Sequence, residues 1–158
     1  MRVYFIDTSV LDNLLAIPHK CQAKEQSKID FAERQSENAK FILPITAVIE
    51  TGNHIAQLPQ GDVRRNIAEK FSQMLELTAH QQSPWILHDF QWNKEFITEL
   101  VSRHRAGLSM VDMMTQQIGG GDLCVLTERE LYKRATGITA EVWTYDAALS
   151  AYSGYYTS

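Results

Sequence analysis

Val3-Tyr4-Phe5-Ile6 is a run of four β-branched or aromatic residues that ends at an acid, Asp7. An apolar run with no polar alternation suits a strand covered on both faces, the situation of a parallel sheet. Thr8 and Ser9 follow as good N-cap residues for a helix beginning at Val10-Leu11. The pattern predicts strand, acid and helix in succession. Asp7 then ends a strand on the edge where open α/β sheets place their chemistry.

The same grammar repeats along the chain. The first helix runs on to Ile17, where Pro18 stops it, and residues 20–40 are polar enough for an exposed helix. Residues 41–45 form a second buried strand, and Thr46 can cap the helix that carries Val48, Ile49, Ile55 and Leu58. Gly61-Asp62 opens an amphipathic helix with Ile67, Phe71, Met74, Leu75 and Leu77 at helical spacing. Residues 84–88 make a third strand, followed by helices over 93–103 and 109–118. Gly119-Gly120-Gly121 breaks the chain before a helix that starts at Asp122. Residues 141–145 are the last strand, ending at Asp146, ahead of a short helix and a Tyr/Ser tail over 153–158. Strands alternating with helices imply an α/β fold, a central parallel sheet with helices on both faces.

A chain of 158 residues suffices for one well-buried domain. No apolar run is long enough to span a membrane, and no leader pattern is present. Two cysteines without a CxxC spacing point to a cytoplasmic, reduced protein. A net charge of −4 disfavours holding nucleic acid by bulk electrostatics alone. It leaves nucleic acid open as a substrate: acids gathered in one site lower the net charge. Arg64, Arg65, Lys70, Arg103, Arg105, Arg129, Lys133 and Arg134 could still form local basic patches.

Four acids stand at element junctions: Asp7, Glu50 one turn into the helix after the second strand, Asp122 after the glycines, and Asp146 closing Trp143-Thr144-Tyr145. Each also has a purely structural role open to it, as a helix cap or a solvated helix residue. Brought together at one sheet edge, such carboxylates would repel unless a cation neutralised them. Oxygen ligands with no His or Cys partner suit Mg²⁺ or Mn²⁺ and argue against zinc. His19, His54, His80, His88 and His104 show no ligand spacing. Trp85, Trp92 and Trp143 read as packing residues.

At Ile6-Asp7-Thr8-Ser9-Val10-Leu11, Ala47-Val48-Ile49-Glu50, the glycine-preceded Asp122 and Trp143-Thr144-Tyr145-Asp146 with Leu149, the chain resembles the PIN-domain family. The resemblance spans residues 3–152. It implies a single PIN-like domain and a metal-dependent endoribonuclease. Asp7, Glu50, Asp122 and Asp146 would be catalytic and metal-binding, with Thr8, Ser9 and Thr144 as polar neighbours. RNA would be the substrate, hydrolysed with Mg²⁺ or Mn²⁺. The family also implies the toxin of a toxin–antitoxin pair, with an antitoxin protein as partner, or an RNA-processing enzyme, and a homodimer. Asp112 also resembles the third motif, which would make Leu126-Thr127-Glu128-Arg129 a degenerate fourth. Asp122 is preferred because it leaves Asp146 in a complete strand-Thr-x-Asp context, and Ser109 with Asp112 is spaced like a capping box.

A haloacid-dehalogenase-type phosphatase would need an acid where Ser9 stands. A receiver-like domain would need a phosphoacceptor better than His88-Asp89. A PIN-like module that binds RNA or protein without cleaving is the remaining alternative.

Overall fold

The computed structural model describes residues 1–102 and 108–152. Arg103, His104, Arg105 and the 153–158 tail lie outside the described residues. Four strands, β1 (Val3–Ile6), β2 (Lys40–Ile42), β3 (Trp85–Ile86) and β4 (Glu141–Trp143), form one sheet in the order β3-β2-β1-β4, with every neighbouring pair parallel. Between β1 and β2 lie α1 (Thr8–Leu14) and α2 (Lys24–Ser36); between β2 and β3 lie α3 (Ile45–Ala56) and α4 (Gly61–Ala79). The long return to β4 carries α5 (Lys94–Ser102), α6 (Met110–Thr115) and α7 (Gly120–Thr136), and α8 (Ala147–Ser150) follows β4.

Alternation along β1 explains how a wholly apolar strand is used. Tyr4 and Ile6 join a core with Val10, Leu11, Ala47, Ile55, Ile67 and Phe71. Val3 and Phe5 join the opposite core, with Phe96, Leu100, Met113, Leu123, Leu126 and Leu149. Successive side chains point to opposite faces, so β1 supplies both cores at once. Helices α1–α4 therefore cover one face and α5–α8 the other. The connections reverse direction beside β1, which makes its carboxyl end the topological switch point of the sheet.

Several predicted boundaries move, each for a local reason. The first helix is capped by Asp7 itself, whose side chain accepts from the Ser9 N–H, so Thr8 and Ser9 are already helical. Pro44, not Thr46, occupies the cap position of α3. The glycine run does not merely break the chain: Gly119 is the cap of α7, Gly120 and Gly121 are its first residues, and Asp122 lies third in the helix. Strands β2, β3 and β4 are shorter than their apolar runs. The polar 20–40 segment contracts to α2, and its Phe31 stacks on Trp85 at 5.1 Å. Among the described residues no helix is long and apolar enough to cross a membrane.

Phe5 and Gly137 give the fold its sharpest tests. Phe5 is fully buried between Tyr132 and His88, and Phe5→Ala should cost about 3–5 kcal/mol. Gly137 ends α7 with φ of 73°, the left-handed region. A methyl added there would meet open space, so Gly137→Ala should cost about 1 kcal/mol through backbone strain alone. Urea denaturation measures both.

Candidate metal centre

Asp7 is 4% exposed, so its carboxylate depends on donors from the protein. One oxygen, Oδ2, receives them: the Ser9 hydroxyl at 2.7 Å, the Thr144 hydroxyl at 2.8 Å and the Ser9 N–H at 3.3 Å. Register explains why Thr144 reaches it. Ile6 pairs with Trp143, and the Asp7 N–H donates to the Trp143 carbonyl at 3.0 Å, so Asp7 and Thr144 come level at the sheet edge. The Ser9 hydroxyl also accepts the Tyr145 N–H at 2.8 Å.

Glu50 approaches from α3. Its Oε2 accepts the Thr8 hydroxyl at 2.8 Å. Its other end lies against the first turn of α7, where a Cβ added to Gly121 would collide with Oε1 and stand 2.9 Å from Cδ. The missing side chain of Gly121 is what lets a carboxylate from α3 lie beside Asp122.

Asp146 is exposed and caps α8, accepting the Leu149 N–H at 3.0 Å, while its own N–H donates to the Thr144 hydroxyl at 2.9 Å. Asp122 shows what this convergence does. Its carboxyl is pushed up to about 7, first by burial, then by the charges of Asp7, Glu50 and Asp146 and by a hydrogen bond with Asp7. Four acids far apart in the chain therefore feel one another at one edge. Asp7 and Asp146 are helix caps as well as members of this group. Asp112 lies elsewhere, exposed on α6, where it and Ser109 form the capping box. Leu126-Thr127-Glu128-Arg129 falls inside α7 and not at a strand end, with Arg129 completely buried and donating to the Tyr152 carbonyl at 2.8 Å.

The donor set fits a hard cation. It is all oxygen, and the mutual repulsion that raises Asp122 is what a divalent ion would relieve. Among the described residues, however, no three His, Cys, Asp or Glu side chains are drawn together as a ready coordination group. Of the candidate basic patch, Arg129 is interior, Arg64 donates to the Leu58 carbonyl, Arg65 pairs with Glu69, and Arg134 pairs with Glu99.

Two contributors escaped the sequence reading. Gly121 was only a breaker there. His54 Nδ1 lies 2.9 Å from Asp12, giving α1 and α3 a second polar rung one turn beyond Thr8–Glu50. Burial raises the Asp12 carboxyl, while the His54 bond works the other way. Asp12 is four residues after Thr8 and His54 four after Glu50, the helical spacing that could have signalled the pairing.

No family model matches the chain, and no solved structure does. A curated relative, the probable mitochondrial arginine–tRNA ligase of Mus musculus, is 31% identical over 91 residues, 58% of this chain. The chain spans only 15% of that protein's length.

Two outcomes follow from this geometry. In metal-free protein, Asp122 holds a proton when folded that an unfolded aspartate, titrating near 3.9, has lost. Stability therefore falls as pH rises from about 4 to about 7. Asp122→Asn should flatten that slope, read as the urea midpoint against pH in chelator. Gly121→Ala should leave thermal stability equal or slightly higher, since alanine favours a helix by about 0.5–1 kcal/mol, yet weaken Mn²⁺ binding about 10-fold by displacing Glu50. Calorimetric titration with Mn²⁺ checks the second.

Proposed function

We propose that this protein is a PIN-like, metal-dependent endoribonuclease that hydrolyses RNA phosphodiester bonds. The observation that carries the reading is the convergence at Asp122, whose carboxyl is raised first by burial and then by the charges of Asp7, Glu50 and Asp146. A carboxyl raised by burial and by three neighbouring acids at a sheet switch point favours a divalent cation over isolated capping roles. Asp7, Glu50, Asp122 and Asp146 would hold Mg²⁺ or Mn²⁺. When bound, such an ion lowers the pKa of water and stabilises charge on phosphate oxygens.

The chain's own groups divide the remaining work. Thr144 and Ser9 donate to Asp7 Oδ2 and so fix which way that carboxylate faces. Thr8 does the same for Glu50. Asp122, whose carboxyl is raised to about 7 by burial and by its acidic neighbours, would lose its proton on holding such an ion. Asp146 is the exposed member, and would be the first of the four to meet an arriving RNA strand. Free Cys21 and Cys124 accord with a cytoplasmic setting. The toxin role, an antitoxin partner and a homodimer rest on the family resemblance alone.

A second reading is a PIN-like module that binds RNA or a protein without cleaving. It is favoured by the spacing of the acids, no three of which, among the described residues, form a ready metal group.

Wild type and Asp146→Asn, compared on structured and single-stranded RNA with Mg²⁺, Mn²⁺ or chelator, separate the two. The RNA panel includes tRNA, which the partial relative's name mentions. The nuclease reading expects metal-dependent cleavage that falls more than about 100-fold in the variant, beyond the usual effect of an outer ligand partner. Equal cleavage by both proteins would discard the site. RNA retention with neither cleavage nor Mn²⁺ binding would favour the module.

A further inference from the structure

Tyr145 stands between Thr144 and Asp146 and is fastened at both ends. Its N–H donates to Ser9 Oγ at 2.8 Å, and its hydroxyl donates to Asp30 Oδ2 on α2 at 2.6 Å. A phenol bonded to a carboxylate at that length is among the stronger protein hydrogen bonds. Burial, then the Asp30 bond, raise the phenol above its ordinary range, which keeps it a donor.

Asp30 is itself held. Its Oδ1 accepts from Gln26 at 2.7 Å, and Arg34 lies 3.9 Å from Oδ2 one turn later. The Arg34 guanidinium sits 4.8 Å over the Tyr4 ring and 4.6 Å over the Trp143 ring. Together with Phe31, which stacks on Trp85, these contacts seat α2 on the sheet. The α2 end of the bond is therefore tied to the sheet through Arg34 and Phe31.

Asp146 needs such a tie. Its bonds, to Thr144 Oγ1 and from the Leu149 and Ser150 N–H groups, are local. The helix it caps has four residues, far too few to hold its own place. Its far end is held by Leu149, fully buried in the second core, and by the Tyr152 carbonyl, which accepts from Arg129; its near end follows Tyr145.

We infer that Asp30 and Tyr145 are positioning residues for Asp146, the bond between them fixing the turn from β4 to α8 and so the carboxylate's place beside Asp7 and Asp122. Its metal readout rests on the nuclease reading; its backbone readout does not. It also gives α2 a part in the site that its polar composition does not announce.

The test uses Tyr145→Phe, which keeps the ring and removes the hydroxyl, with Asp30→Ala and Asp30→Asn, the last retaining an acceptor oxygen. Amide hydrogen exchange in metal-free protein and Mn²⁺ titration are both measured. Exchange at Tyr145, Asp146 and Leu149 is expected to rise about 10-fold in Tyr145→Phe and Asp30→Ala. Mn²⁺ affinity is expected to fall about 10-fold in the same proteins, with Asp30→Asn recovering most of both. Unchanged exchange overturns the inference. So does a rise spread equally over Val3–Ile6 and Glu141–Trp143, which would mean lost stability alone, or a local rise with Mn²⁺ affinity intact. If wild type binds no Mn²⁺, the nuclease reading falls, and local exchange with its Asp30→Asn recovery decides the inference by itself.

Discussion

Oδ2 of Asp7 joins three parts of the molecule at a single atom. Ser9 donates to it from the first turn of α1, Thr144 donates from beyond β4, and the Asp7 backbone closes the ladder to Trp143. A carboxylate 4% exposed would be costly without those donors. Satisfying it requires β1 and β4 to pair in the register observed, because a shift of one residue would carry Thr144 away. The polar requirement at the edge and the apolar requirement of the two cores thus select the same register.

Around that point the fold tolerates a conflict. Asp122 is half-buried beside the charges of Asp7, Glu50 and Asp146, and burial first, then those charges, push its carboxyl up to about 7. A sequence selected for stability alone would not collect like charges at a switch point, and local rules are most often broken where a protein acts. Glu50 lies where a side chain at Gly121 would stand. Any side chain there would push Glu50 off the first turn of α7.

Support comes in from outside the group of acids. Thr8–Glu50 and Asp12–His54 link α1 to α3 at successive turns, and Asp30–Tyr145 links α2 to the turn beyond β4. Helices that look like covering for one face of the sheet thus also orient the acids. Such outer contacts commonly matter to a metal site almost as much as its ligands do.

Much of this was legible from the residues. The continuous apolar run before Asp7 specified a strand buried on both faces, since only a parallel, doubly covered sheet satisfies it, and the strand–acid–helix junctions located the candidate acids. The capping box of Ser109 and Asp112 was likewise readable, from a spacing that the structure reproduces. What the chain could not disclose were contacts between residues far apart in sequence: the Gly121 gap that Glu50 fills, the rung between Asp12 and His54, the grip of Asp30 on Tyr145. Local propensity and periodicity act over a turn or a strand and determine elements. Which side chains meet across elements depends on strand order and register, and only the folded sheet, with β4 returning to lie against β1, decides those.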